Sequence, residues 1–227
     1  MRGWWREVGG LVLPGVCVGC GRAGGVLCAG CEALVRGGAP ARVGSVRGVP
    51  VWASSGYGEP VRQVLLAHKE RGALGLARVL GAVVADLARA AGVGPGREVA
   101  LVPVPSSRAG TRARGHDPVA RVAVVAAGRL RAAGVPARAV PGLLRQRRGV
   151  ADQVGLGAAG RRANLAGALE PRRGAGRALP VAGEVVLVDD LSTTGATLAE
   201  AVRAVRVPVR AAVVVASGGY GRGRTRS

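Results

Sequence analysis

Two groups of residues in this chain have types and spacings suited to chemistry. The first is Asp189-Asp190-Leu191-Ser192-Thr193-Thr194-Gly195-Ala196-Thr197. Adjacent carboxylates suit a diol or a hydrated magnesium ion rather than a phosphate. The small-residue turn behind them offers consecutive backbone N–H groups, and its Thr hydroxyls add donors, which makes an anion cup. A diol hook beside an anion cup suits a phosphorylated sugar. The second group is Cys17-Val18-Gly19-Cys20 with Cys28-Ala29-Gly30-Cys31, two Cys-x-x-Cys knuckles that use all the cysteines of the chain. In a reducing compartment this arithmetic favours a structural four-thiolate zinc (Zn²⁺) site over two disulfides. Four sulfur ligands leave no open position for catalysis by the metal. An iron–sulfur cluster or a redox pair is the other use of such a set.

The elements that must position these groups follow from the apolar patterning. Residues 184–188 form a continuous Val-rich run, too short for a helix, which reads as a buried central strand. The acid pair then stands at a carboxyl end, where open α/β sheets place their ligands. Residues 196–202 read as the first turns of a helix. A plainer reading makes Asp-Asp the start of a turn and a Thr the cap of a helix. Strand, acids, Gly turn and Thr falling in register favour the binding reading. Residues 98–105 predict a second strand that runs into a short loop, Ser106-Ser107-Arg108-Ala109-Gly110. Amides, hydroxyls and a guanidinium there could receive a pyrophosphate. Arg112 and Arg114 either close over a polyphosphate or belong to a solvated basic loop.

Elsewhere the spacing predicts a strand over 49–53, a helix over 60–67 and a core-packed helix over 74–91 that stops at Gly92. A helix over 118–133, a strand over 140–144 and a last strand over 209–216 complete the pattern. Residues 39–49 read as a Gly/Pro/Arg-rich connector. Residues 144–169 form a long Arg/Gly connection of the kind that is mobile or wraps a site. Trp4, Trp5, Val8, Leu11 and Val12 can form one apolar helix face packing the knuckles onto the main domain. His68, with no acid or Cys near it in sequence, reads as a surface or satisfied residue rather than a base. Lys69 stands out as the single lysine.

Composition bounds the rest. The chain has 227 residues and 48% hydrophobic content, enough for one α/β domain with a small appendage. Phe and Ile are absent, so the core is built from Val, Leu and Ala. The choice of Arg over Lys looks like the codon bias of a GC-rich genome, but the net charge of +20 should attract phosphates, nucleotides or nucleic acid. The longest apolar stretches are interrupted by charges, so no membrane insertion is expected. The run 11–13 is too short for a secretory segment, and a cytoplasmic location is the expectation. Aromatics are only 2% of the chain, so no nucleobase pocket is recognisable. We expect a Cys module over 1–45, a main domain over 46–217 and a disordered basic tail over 218–227.

The strand, acid pair and Thr-Thr-Gly-x-Thr of 184–197 resemble the PRPP-binding motif of type I phosphoribosyltransferases. The order of pieces narrows this: the four-Cys knuckle, Tyr57-Gly58 with Lys69, Val102-Pro103-Val104-Pro105, Arg112-x-Arg114-Gly115, Gln153-x-x-Leu156, Arg161-x-x-Asn164, then the acid motif. That ordered conjunction resembles the ComF/GntX family of phosphoribosyltransferase-like proteins across nearly all of 11–215. The resemblance implies an α/β, type I phosphoribosyltransferase fold with an N-terminal zinc module. It implies that Asp189 and Asp190 contact the ribose of PRPP as the catalytic pair. The loop of Ser192, Thr193, Thr194, Gly195, Ala196 and Thr197 would hold the 5-phosphate, while Ser106, Ser107 and Arg108 take the pyrophosphate with Mg²⁺. It also implies a role near DNA uptake in competence. Two departures stand out: His116, Asp117 and Pro118 occupy positions where relatives carry an aromatic and then Asn-Gln, and Gly160 replaces a Glu. Two functions follow: phosphoribosyl transfer to an unknown acceptor, or a non-catalytic module whose basic face contacts single-stranded DNA or a DNA-processing partner. Scarce aromatics argue against a stacking platform for single strands, although backbone contact by Arg remains open.

Overall fold

The computed structural model describes residues 15–106, 108–147, 167–172, 174, 179 and 183–219. In chain order the elements are α1 (Ala29–Arg36), β1 (Ala41–Val46), β2 (Val49–Gly56), α2 (Val61–Glu70), a 3-10 turn (Leu74–Leu76) and α3 (Ala77–Ala90). Next come β3 (Val99–Pro103), α4 (Arg108–Arg114), α5 (Pro118–Ala132), β4 (Ala137–Ala139), β5 (Leu144–Gln146) and β6 (Leu169–Pro171). The chain ends with β7 (Glu184–Ser192), α6 (Ala196–Val205) and β8 (Ala211–Ser217).

Six strands form one sheet in the order β1-β2-β8-β7-β3-β4. All neighbours are parallel except the edge pair β1–β2. The continuous apolar runs have a direct physical cause: the central strands are covered on both faces. Val186 and Val188 of β7, Val99 and Leu101 of β3, and Val213 and Val215 of β8 pack with α1, α2, α3 and α5. Their alternates, Val185, Leu187, Ala100, Val102, Ala212 and Val214, pack with α6 and the β5–β6 hairpin. The fold is thus α/β, a mostly parallel sheet between helices.

This topology fixes where a ligand belongs. The connection from β3 runs through α4 and α5 to β4 on one side, and that from β7 runs through α6 to β8 on the other. The carboxyl ends of the adjacent strands β3 and β7 are therefore the switch point, where the loops diverge and leave a crevice.

Several expectations need correction. The connector of 39–49 contains β1. It is a short edge strand whose Arg42 is exposed, with an irregularity between Arg42 and Gly44, so it lacks an apolar signature. The loop expected over 106–110 gives way at Arg108 to α4. The strand expected over 140–144 is instead the turn between β4 and β5, where Pro141 and Gly142 redirect the chain, and only Leu144 belongs to a strand. The helix face of 4–12, Ser107, residues 148–166 and the tail from 220 lie outside the described residues.

One buried polar clamp joins the hairpin to the site helix. Glu200 on α6 is buried and accepts from the backbone N–H of Leu169 at 3.0 Å. Arg203 donates to the Leu169 carbonyl at 2.7 Å and to Glu200 at 2.7 Å and 2.8 Å. Burial pushes the Glu200 carboxyl up, but hydrogen bonds from Arg203 and Leu169 outweigh it and hold the carboxyl below its usual range. Glu200→Ala leaves the Leu169 N–H unpaired, at a cost of about 1–3 kcal/mol. A fall of several degrees in Tm, followed by circular dichroism, is expected.

Candidate functional site at the carboxyl ends of β3 and β7

β7 carries its apolar residues into the sheet and delivers Asp189 and Asp190 at the end of its ladder with β8, where Asp189 faces Val214 and Ser192 faces Ser217. Asp189 is buried, and its Oδ1 accepts from the backbone N–H of Asp190 at 2.9 Å. Thr193 and Thr194 are exposed in the following turn. Gly195 caps α6 with φ 75°. That left-handed conformation costs other L-residues about 1–2 kcal/mol. A Cβ there would also lie 2.9 Å from Cγ1 of Val46. The turn therefore requires Gly, and it opens the N–H end of a helix of 10 residues to solvent.

Lys69 reaches the acids from α2. Its Nζ lies 3.0 Å from Oδ2 of Asp190, across 121 positions of sequence. Burial draws the Lys69 ammonium down, but the charges of Asp190 and Asp189 outweigh that and raise it. Burial pushes the Asp189 carboxyl well above its usual range, the charge of Asp190 adds to the push, and Lys69 opposes it. This lysine has no assigned role in the motif reading of the sequence, and its being the sole Lys among so many Arg is the signal that singles it out. Glu70, the next residue, receives Arg114 at 3.0 Å. Arg114 thus ties α4 to α2 and is not a free arm over the crevice.

His68 is buried, with Nδ1 3.4 Å from the Ala73 carbonyl and Nε2 3.3 Å from that of Pro118. Burial lowers its pKa, the carbonyl contacts only partly offsetting it. It is a satisfied interior residue, as its isolation in sequence suggested.

On the neighbouring strand, the backbone N–H of Val104 donates to the Val188 carbonyl at 2.8 Å, so the two strand ends are held together past the ladder. Asp117 then organises the β3 loop. Its carboxylate accepts from Ser106 N at 3.2 Å and Ser106 Oγ at 3.3 Å, and caps α5 through Val119 N at 3.0 Å and Ala120 N at 3.3 Å. Asp117 is therefore structural here, with Pro118 at the first turn of the helix behind it. Ser106 and Arg112 line a cavity of about 360 Å³ with Asp117, Arg145 and Arg172. Arg108 begins α4. Ser106 and the acid-loop segment stand at adjacent strand ends, as the topology requires.

The four cysteines converge. All four Sγ atoms lie within 4.8 Å of one another, and Cys20 and Cys28 are 3.7 Å apart. Thiolates about 2.3 Å from a tetrahedral zinc ion are about 3.8 Å from each other, so the donor set fits that geometry. Burial opposes ionisation of Cys17, but the N–H groups of Cys28, Cys20 and Gly19 overcome it and bring the thiol down to about 6. Burial and the other cysteines, including the Cys17 charge, push Cys31 up. A cation among them would relieve that repulsion. Among the described residues no helix is long and apolar enough to cross a membrane.

No family model and no curated protein matches this chain.

Two measurements follow. Elemental analysis of purified protein should find one metal ion per chain, and Cys20→Ser should lose it together with thermal stability. Asp189→Asn should change stability in a pH-dependent way. A carboxyl raised in the fold binds its proton more tightly folded than unfolded, so it costs stability as pH rises from its unfolded value through its folded one. The variant should melt higher than wild type at pH 8, by about 2–4 °C for each kcal/mol relieved. At pH 4 the difference should vanish.

Proposed function

We propose that this protein binds PRPP with Mg²⁺ and is a phosphoribosyltransferase-like protein of the ComF/GntX kind. The observation that carries the proposal is the meeting, at the switch point of the sheet, of the Asp189–Asp190 pair with a Gly-capped helix N-terminus. The acids accept from the ribose hydroxyls, and the amides of 193–197 with the hydroxyls of Thr193, Thr194 and Thr197 take the 5-phosphate. Ser106 on the adjacent strand end is positioned for the pyrophosphate end, and the family resemblance adds Arg108 to it. Ionised, Asp189 is an acceptor for the diol; Lys69 holds Asp190 in place and lowers the cost of that ionisation.

The reaction this arrangement suits is substitution at the anomeric carbon. The bond from C1 to the pyrophosphate oxygen breaks with its electrons leaving on pyrophosphate, an acceptor lone pair forms the new bond, and the acceptor proton passes to solvent. Mg²⁺ supplies charge neutralisation of the leaving pyrophosphate when bound. Fixed amides and carboxylates around an oxocarbenium-like sugar then stabilise the transition state electrostatically. Competence-linked DNA uptake is the setting in which family resemblance places such a protein.

Calorimetric titration of PRPP with and without Mg²⁺ tests the reading. Wild type should bind with micromolar affinity only with Mg²⁺, and Asp189→Asn/Asp190→Asn should weaken binding at least about tenfold, a loss of about 1.4 kcal/mol. Absence of binding to folded, metal-loaded wild type would overturn the proposal.

A further inference from the structure

Adjacent carboxylates serve either a divalent cation or a diol, and their spacing in sequence does not choose between the two. The partner that reaches them in space does. We propose that Lys69 is the specificity-determining residue of the Asp189–Asp190 pair: it is the pair's resident cation, it shuts out a free divalent metal ion, and it reserves the acids for the hydroxyls of a sugar diol. The diol half of this inference rests on the function proposed above, and the exclusion of metal does not.

Charge comes first. Lys69 Nζ stands 3.0 Å from Oδ2 of Asp190, and among the described residues neither acid has another ion-pair partner. Arg114 is paired with Glu70 instead. Burial opposes the Lys69 ammonium, but the charges of Asp190 and Asp189 outweigh it and keep the group protonated. Burial and the charge of Asp190 together disfavour ionisation of Asp189. The trio is therefore close to neutral as a unit. A neutral diol enters such a centre without a charge penalty, whereas a dication meets a positive charge one carboxylate away. The Lys69 side chain is 35% exposed and that of Asp190 13%, so salt screens this pair less than one on the open surface.

The oxygens left over point the same way. Oδ2 of Asp190 is taken by Lys69, and Oδ1 of Asp189 by the backbone N–H of Asp190. Among the described contacts one oxygen remains on each acid, which matches the two hydroxyls of a diol. Magnesium demands a near-ideal octahedron of oxygens and gives up its waters reluctantly. Behind the acids, His68, Leu80, Val119, Val122 and Val215 leave a cavity of about 10 Å³, too small for a hydrated ion.

Lys69 is also aimed by its surroundings. It lies in the last turn of α2, where the carbonyl end of the helix favours a cation. Both residues beside it are anchored. His68 contacts the carbonyls of Ala73 and Pro118 at 3.4 Å and 3.3 Å, and Glu70 receives Arg114 at 3.0 Å. These anchors fix the stem from which the ammonium reaches Asp190.

Titration of Mn²⁺ into full-length protein whose cysteine site is already filled tests this, with the free ion followed by electron paramagnetic resonance. Mn²⁺ is a hard, oxygen-seeking substitute for Mg²⁺. Wild type and Lys69→Arg should show no saturable uptake. Lys69→Met should bind Mn²⁺ at least about tenfold more tightly than wild type, because a fixed unit charge has left the site. Lys69→Met/Asp190→Asn should lose that gain, which locates the ion on the acids. Circular dichroism checks each fold, and Lys69→Gln takes the place of Lys69→Met should the latter not fold. Ribose 5-phosphate should bind wild type without any divalent cation, and Mn²⁺ should weaken its binding to Lys69→Met but not to wild type. Equal Mn²⁺ uptake by wild type and the folded uncharged variant would overturn the proposal, as would Mn²⁺ and ribose 5-phosphate binding that variant together without competition. Mn²⁺ uptake gained on loss of the Lys69 charge, with no affinity for ribose 5-phosphate in any form, would uphold Lys69 as the excluding cation and fail the phosphosugar reading instead.

Discussion

A carboxyl group buried at the end of an apolar strand is the constraint around which this molecule is arranged. Asp189 is buried beside Leu80, Val119, Val122 and Val215, next to a second acid, and both effects disfavour its charge. Lys69 is the compensation, and it comes from α2, remote in sequence. Its neighbour Glu70 binds Arg114 on α4, so consecutive residues of one helix tie to the acid strand and to the segment beyond β3. Buried or half-buried pairs of this kind add little net stability, because desolvation offsets attraction. What they determine is position, and here they hold the two sides of the switch point together.

The loops of the site are held by polar groups set one step behind them. Asp117 gathers Ser106 and the start of α5 with a single carboxylate. Glu200 and Arg203 on α6 grip both backbone groups of Leu169, so the helix that opens the anion cup also carries the β5–β6 hairpin. Each uses a charged side chain to fix backbone groups.

The Cys module solves a different problem. It is too small to bury its own apolar surface, and Val16, Val26 and Leu34 remain exposed. A metal held by the four converging cysteine sulfurs would replace the missing core, since metal binding can supply folding free energy outright.

Much of this was legible in the sequence because it is local. Val-rich runs announce strands covered on both faces, the Cys-x-x-Cys spacing announces convergence of sulfurs, and Asp-Asp followed by Thr-Thr-Gly-x-Thr announces a strand end, a left-handed glycine and a helix start. Each of those signals is written within a few residues by steric and hydrogen-bonding rules. β1 left no such mark, because none of its residues is buried and an irregularity between Arg42 and Gly44 interrupts its pairing. Lys69 meeting Asp190 and Asp117 holding Ser106 were decided by the tertiary structure alone. Electrostatic partnership depends on distance in space and on the loss of water around the pair, and neither is written along the chain.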